Sequence, residues 1–223
     1  METIDEHLVE RIEHYIEALF APCDPALAEN LRDAEAAGLP SINVSPNQGK
    51  LLYLVARISG AARILEIGTL AGYSTTWLAR ALPPGGTILT IELNPKNAEV
   101  AQKNLARAHL ECQVEVRVGD ASHTLRKMIA AGVAPFDLIF IDADKPRYVE
   151  YLHLALQVSH PGSVILADNL IRNGRVLEDP PADDLARGVR AFNDAIAKHP
   201  RLESIILPIY RGKVDGLSIS RVK

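Results

Sequence analysis

From residue 63 onward, the chain alternates short apolar runs with segments of helical character, and this alternation most constrains its fold. The runs are 63–67 (RILEI), 87–91 (TILTI), 114–118 (VEVRV), 136–142 (FDLIFID) and 163–168 (SVILAD). Apolar runs of this kind, separated by helices, are typical of parallel strands joined by helical crossovers. The sequence therefore predicts an α/β fold in which helices cover a parallel sheet.

The carboxyl-terminal end has a different pattern. Two strand-like runs, 204–210 (SIILPIY) and 216–222 (GLSISRV), are joined by only five residues, Arg211 to Asp215. This connection is too short for a helical crossover and suits a tight antiparallel turn. We expect an antiparallel hairpin to complete the sheet.

Helical signals fill the chain before the first strand. Apolar residues recur at helical spacing from Ile4 to Leu19. A second helix is predicted to begin at the N-cap Asp24, and a third to open with a capping box formed by Ser45 and Gln48. The first 60 residues are therefore predicted to be helical.

Composition indicates one folded unit. Hydrophobic residues make up 48% and charged residues 23% of the 223 positions, enough to bury a full core. No internal repeat, low-complexity stretch or linker is evident. We interpret residues 1–223 as a single domain, in which a helical layer (1–60) precedes a ligand-binding core (61–223).

The net charge and the cysteine content limit which partners and which cellular compartment we expect for this protein. With 24 Lys and Arg against 28 Asp and Glu, the net charge of -4 offers no overall attraction to nucleic acid. Cys23 and Cys112 form neither a disulfide framework nor a thiolate zinc motif, which fits the reducing cytoplasm. No apolar run approaches the roughly 20 residues of a membrane span, and the charged first segment is unlike a secretory signal. We expect a cytoplasmic protein with no membrane or nucleic-acid partner.

Acidic residues end the first three strands and point to a cofactor. Glu66 is followed by Gly68 and a helix start, where the backbone can approach a ligand closely. The spacing is not the GxGxxG of dinucleotide folds. Glu92 could accept hydrogen bonds from a ribose, and Asp120 or the neighbouring backbone could meet an adenine amino group. Three acids suit a cationic, adenosine-bearing cofactor better than a pyrophosphate, although solvated strand-end acids remain an alternative.

The next two strands end in oxygen ligands. Asp142 ends the fourth strand, and Asp168 with Asn169 ends the fifth. Neighbouring strands lie about 4.8 Å apart, a gap that a dication with bonds of about 2.1 Å to each side would bridge. Such ligands suit Mg²⁺, Mn²⁺ or Ca²⁺ rather than zinc, although a helix cap and a turn would also explain them.

Lys145 follows Asp142 by three residues and could serve as a base. A neighbouring dication would lower the pKa of its ammonium, whereas Asp144 beside it could keep it charged. The sequence leaves both possibilities open.

Together these segments resemble one family. EIGTLAGYST (66–75), TIELNP (90–95), FIDADKPRY (140–148), ILADN (165–169) and YRGKVDGLSIS (210–220) are similar to the cation-dependent, S-adenosylmethionine-dependent O-methyltransferases. That family includes catechol and caffeoyl-CoA O-methyltransferases, and the likeness runs from about Ile42 to the carboxyl terminus. The resemblance implies a Rossmann-like, seven-stranded sheet with an antiparallel last strand and helices on both faces. It also implies methyl transfer to a hydroxyl of a vicinal aromatic diol chelated to a divalent cation, and a homodimer.

The resemblance assigns roles to individual residues. The methionine part of S-adenosylmethionine would be met by Val44, Glu66, Gly68 and Ser74, the ribose by Glu92, and the adenine by Asp120 and Ala121. Asp142, Asp168 and Asn169 would bind the metal, most simply Mg²⁺, with Asp142 also near the cofactor, and Lys145 would be the general base.

Some features leave the substrate and the activity open. Asp144 and Ile209 stand where animal catechol enzymes have a tryptophan and a carboxylate, so the phenolic substrate is not specified. Arg172 and Arg175 could contact an anionic substrate tail or could merely be solubilising. An NAD(P)-dependent oxidoreductase, a nucleic-acid methyltransferase and a non-catalytic binding protein are the alternatives, although the first would be expected to have GxGxxG and the second a basic face.

Overall fold

The structure is a computed structural model and describes residues 6–210 and 213–223. Three helices precede the first strand: α1 (Glu6–Phe20), α2 (Pro25–Ala36) and α3 (Pro46–Ile58). The side chain of Asp24 accepts hydrogen bonds from the backbone nitrogens of Ala26 and Leu27, and Ser45 and Gln48 form a capping box. The predicted helix starts are therefore confirmed, while Ile4, the first apolar position of the predicted stripe, lies outside the described residues.

Seven strands form one sheet in the order β3-β2-β1-β4-β5-β7-β6. The strands are β1 (Arg63–Ile67), β2 (Thr87–Glu92), β3 (Gln113–Val118), β4 (Phe136–Ile141), β5 (Ser159–Ala167), β6 (Leu202–Tyr210) and β7 (Val214–Val222). The helices that join them are α4 (Tyr73–Ala81), α5 (Pro95–Arg107), α6 (Ala121–Ala130), α7 (Tyr148–Gln157) and α8 (Asp184–Lys198). Strands β1 to β5 pair in parallel, and β7 pairs antiparallel with both β5 and β6. The predicted fold class is confirmed.

The carboxyl-terminal hairpin is also confirmed. Strands β6 and β7 pair in register from Leu202 with Val222 to Tyr210 with Val214. Residues 211 and 212, within the predicted connection, lie outside the described residues. Because β7 pairs antiparallel with β5, its first residues, from Val214, lie at the edge of the sheet where the parallel strands end.

The core lies on both faces of the sheet. In β4, Leu138 and Phe140 pack into the layer that includes α3 and α4, whereas Ile139 and Ile141 pack into the layer of α6, α7 and α8. All four side chains are fully buried. A parallel sheet covered on both faces is built from such continuous apolar runs, because neither face meets water.

Helix α1 packs on α3 at the outside of the helical layer. Its apolar residues Leu8, Ile12, Tyr15 and Leu19 are exposed. The homodimer implied by the resemblance stays a prediction.

Among residues 6–210 and 213–223, no helix combines the length and the apolar character needed to cross a bilayer.

Candidate active site

A cavity of about 1300 Å³ opens where the parallel strands end. Ile67 at the end of β1 is in register with Ile91 of β2 and Ile141 of β4, and Ile141 is in register with Ala167 of β5. Residues just beyond these positions therefore meet at one edge of the sheet, where open α/β sheets bind ligands. The predicted site residues that line the cavity are Val44, Gly68, Ser74, Glu92, Asp120, Ala121, Asp142, Lys145, Asp168 and Asn169.

Glu66 differs from the other predicted residues because it is fully buried and is not among those that line the cavity. Its carboxylate accepts a hydrogen bond of 2.6 Å from the hydroxyl of Ser74 and another from Thr75. Burial raises the pKa of Glu66 to about 7, although the hydroxyl groups partly offset that effect. Glu66 therefore reaches the cavity through Ser74, which lines it.

The glycine turn after β1 is shaped by close packing as well as by access for a ligand. Gly68 has φ +95°, and a Cβ there would lie 2.0 Å from the carbonyl oxygen of Asp142. The missing side chain thus lets the ends of β1 and β4 approach each other. Asn30 and Asn104 both donate side-chain hydrogen bonds to the carbonyl of Ala71 in this turn, at 2.8 and 3.0 Å. Neither asparagine was recognised from the sequence, since an isolated Asn in a helix has no distinctive signal.

Glu92 holds the same turn from β2. One carboxylate oxygen accepts hydrogen bonds from the backbone nitrogens of Thr69 and Leu70, at 3.1 and 2.9 Å. The other accepts from the backbone nitrogen of Asn94 at 2.9 Å. These bonds fix a nearly buried carboxylate at the cavity wall, between the two strands that would flank a cofactor.

Asp120 is held by Arg147, a residue whose role was not evident from the sequence. Asp120 accepts hydrogen bonds from both terminal nitrogens of Arg147, at 2.5 and 3.3 Å, and caps α6 through the backbone nitrogen of His123 at 2.7 Å. The guanidinium lowers the pKa of Asp120 to about 2. Because this carboxylate is already paired, the backbone around Ala121 is the better candidate for contact with an adenine.

Lys145 lies between Asp142 and Tyr148. Its Nζ donates to Asp142 Oδ1 at 2.8 Å and to the Tyr148 hydroxyl at 2.7 Å. Burial favours the neutral amine, but the negative charge of Asp142 outweighs it and raises the pKa of Lys145 above its ordinary value. Asp144 instead accepts a hydrogen bond from Tyr151. Asp142, rather than Asp144, therefore keeps the ammonium charged.

Two residues that support Lys145 were not recognised from the sequence. The hydroxyl of Tyr148 donates to the backbone carbonyl of Asp168 at 3.1 Å and so connects the lysine with the end of β5. A Cβ at Gly188 of α8 would lie 2.4 Å from the carbonyl oxygen of Lys145, so this glycine lets α8 pack closely on the Lys145–Arg147 turn. Both effects depend on tertiary contacts.

The expected metal ligands converge, since β4 and β5 are neighbours. Asp168 is 3% exposed, and both burial and the negative charge of Asp142 raise its pKa to about 7. The amide nitrogen of Asn169 donates to Asp215 at 3.4 Å, which leaves its oxygen for another partner. Within the described part of the chain, no three or more side chains of His, Cys, Asp or Glu are grouped so that they could hold a metal ion. Two repelling carboxylates with one amide oxygen nevertheless fit a hard dication.

Asp215 organises the loop that follows Asn169. Its Oδ1 accepts hydrogen bonds from the backbone nitrogens of Ile171, Arg172 and Gly216, at 3.1, 3.1 and 2.9 Å. In the sequence this residue was only the end of the hairpin connection. An acid near a turn is common, so its role became visible only in the folded chain.

Comparisons with known proteins agree with this geometry. The model of the O-methyltransferase family matches residues 20–222. A catechol O-methyltransferase of Niastella koreensis is 45% identical over 221 residues, which are 99% of this chain and 100% of that protein. A caffeoyl-CoA O-methyltransferase of Populus trichocarpa is 31% identical over 94% of this chain and 87% of its own length.

A solved structure is also similar to this chain along nearly its whole length. The O-methyltransferase of Bacillus cereus in complex with SAH superimposes with a TM-score of 0.94 at 41% identity, covering 98% of this chain and 100% of that chain. The resemblance identified from the sequence motifs is thereby confirmed. With a family match that spans nearly its whole length and a cavity at the strand ends that contains the motif residues, this chain belongs to the O-methyltransferase family.

Proposed function

We propose that this protein transfers a methyl group from S-adenosylmethionine to one hydroxyl of a vicinal aromatic diol, with a divalent cation bound by Asp142, Asp168 and Asn169. Family membership and the relatives named above support the methyl transfer. The observation that carries the finer proposal is the convergence of these three oxygen ligands with Lys145 in one cavity. Mg²⁺ is the simplest cation for this site, and Mn²⁺ or Ca²⁺ would suit the same ligands.

S-adenosylmethionine would occupy the side of the cavity formed by β1, β2 and β3. Val44, Gly68 and Ser74 would contact its methionine part, with Glu66 acting through Ser74. The carboxylate of Glu92 would contact the ribose, and the backbone near Ala121 the adenine. The B. cereus structure, which contains SAH, supports this cofactor.

The residues around Lys145 would prepare the hydroxyl for transfer. When bound, a divalent cation would orient the two hydroxyls, lower their pKa and favour the neutral form of the lysine beside it. Lys145 would accept the proton of the reacting hydroxyl at Nζ. Its hydrogen bonds to Asp142 and Tyr148 fix that atom, so that much of the catalysis is positioning.

The proposal is tested with a panel of aromatic diols, labelled S-adenosylmethionine, and either EDTA or added Mg²⁺. We expect methylation of vicinal diols only, abolished by the chelator and by Asp168→Asn. Asp144→Asn is the matched control, since Asp144 lies in the same cavity but is bonded to Tyr151. Methylation that is indifferent to the chelator would contradict the cation dependence and leave the methyl transfer standing.

A further inference from the structure

We propose that Arg172 makes this site selective for diols that carry a carboxylate, by binding that carboxylate with its guanidinium. The inference rests on the proposed function, because it concerns the substrate of the same site. Three observations support it: the position of Arg172 in the cavity, the conformation of its backbone, and the hydrogen bonds that the neighbouring acids form with other groups.

Arg172 stands three residues beyond Asn169 and lines the cavity that contains Lys145 and Asp168. Its backbone has φ +51°, and the next residue, Asn173, has φ +54°. Residues other than glycine seldom adopt this left-handed conformation, and where they do the surrounding structure must enforce it. Such backbone conformations cluster at functional sites.

Residues of β7 hold this loop in its conformation. Asp215 accepts a hydrogen bond from the backbone nitrogen of Arg172 at 3.1 Å. Asn173 donates its backbone nitrogen to the carbonyl of Val214 at 2.6 Å and accepts from the nitrogen of Val214 at 3.3 Å. The guanidinium of Arg172 is therefore presented by a fixed loop.

The acids near Arg172 are already paired with other groups. Asp183 binds Arg175 at 2.7 Å and caps α8 through the backbone nitrogen of Ala186 at 2.6 Å. Asp215 accepts from three backbone nitrogens, and its other oxygen faces Asn169 and the ammonium of Lys213, at 3.4 and 3.7 Å. Asp183 still feels the positive charge of Arg172, but neither carboxylate forms a hydrogen bond with its guanidinium.

Across residues 6–210 and 213–223, the guanidinium of Arg172 makes no hydrogen bond or ion pair. Its Nε is buried without an acceptor. A partly desolvated guanidinium without acceptors is unfavourable, and a carboxylate matches its planar array of donors. Arg175, the other arginine considered from the sequence, has Asp183 as its partner, so the structure separates the two.

The test compares two substrates of nearly the same shape, 3,4-dihydroxybenzoate and the neutral 3,4-dihydroxybenzamide. We expect the wild type to prefer the acid by about tenfold in kcat/KM, with the difference in KM. Arg172→Gln should bring that ratio to about one, and Arg172→Lys should restore part of it. Arg187→Gln is the control and should keep the wild-type ratio, because Arg187 is paired with Asp184 on α8 and does not line the cavity.

A second measurement does not require turnover. Calorimetry with SAH and Mg²⁺ present compares the binding of 4-hydroxy-3-methoxybenzoate with that of its amide, and Arg172→Gln should remove the preference for the acid. Equal affinity for both ligands in the wild type, or a preference that survives in Arg172→Gln, would overturn the role of Arg172. If neither diol is methylated, the proposed function fails, and the calorimetric comparison still decides whether Arg172 binds a carboxylate.

Discussion

Arg147 and Asp120 form an ion pair that joins the turn carrying Lys145 to the N-terminus of α6. Two guanidinium nitrogens lie 2.5 and 3.3 Å from the two carboxylate oxygens. Arg147 also donates from Nε to Glu150 at 2.9 Å, so its position is fixed from α7. The segment with the candidate base and the segment with the candidate adenine contact are thereby linked by a single side chain.

Replacing that side chain should weaken cofactor binding. In Arg147→Gln, Asp120 loses its partner and the start of α6 is held less firmly, so we expect the affinity for SAH to fall by roughly three- to tenfold. Arg126→Gln is the matched control, because Arg126 binds Glu150 from the exposed side of α6. Titration calorimetry measures both variants. Equal affinity of Arg147→Gln and wild type would show that the ion pair does not support the cofactor site.

Glu66 should make stability depend on pH. Its pKa is raised from an ordinary value of 4.5 to about 7, so the folded protein retains a proton that the unfolded chain has lost. The resulting stabilisation is complete at acidic pH and is lost as the pH rises through that interval, by on the order of 3 kcal/mol. The side chain of the Glu66→Gln variant does not titrate. The unfolding free energy of the variant relative to that of the wild type should therefore rise between about pH 5 and about pH 8. Urea denaturation would show it, and a constant difference would contradict the raised pKa.

His160 should have its own, smaller effect at the opposite end of the sheet. Its Nε2 lies 2.9 Å from Asp137 Oδ1, and this carboxylate raises the pKa of His160. Stabilisation by the charged ring is present below its ordinary pKa and is lost as the pH rises through the raised value. Both groups are partly exposed, so we expect less than about 1 kcal/mol.

The comparison of His160→Gln with wild type measures this contribution. The loss of stability should be largest below the ordinary pKa of the ring and should shrink as the pH rises through the raised pKa. His153→Gln serves as control because the side chain of His153 is exposed on α7. A loss that is independent of pH would assign the effect to the neutral hydrogen bond.

Gly68 should tolerate no side chain. A Cβ added at Gly68 would collide with the carbonyl oxygen of Asp142, whereas a Cβ added at Gly85, which has φ +79°, would meet nothing within 4 Å. Gly85→Ala therefore measures the cost of the left-handed backbone alone, about 1–2 kcal/mol. Gly68→Ala should cost clearly more in urea unfolding and should also reduce methyl transfer, since it displaces the end of β4. Equal costs for the two variants would show that the close approach is easily relieved.

The strands and the site edge could be predicted because their signals are local. Apolar runs marked the parallel strands, and acids at their ends had to meet because such ends share one edge of the sheet. The position of β7 between β5 and β6 is not a local property and was not predicted, since the resemblance implied only that the last of seven strands is antiparallel. Arg147 and Asp215 act through contacts distant in sequence, so no spacing rule could find them. Glu66 was expected at the cofactor. Because side chains alternate between the two faces of β1, that of Glu66 lies on the face covered by α4, where it is buried beside Ser74 and Thr75.

The most direct test of the central claim is the binding of Mn²⁺, followed by electron paramagnetic resonance, to wild type, Asp142→Asn and Asp144→Asn. We expect one bound ion per chain in the wild type, loss of that ion in Asp142→Asn and its retention in Asp144→Asn. No bound ion in the wild type, or equal binding in all three proteins, would contradict the proposal that Asp142, Asp168 and Asn169 form a cation site.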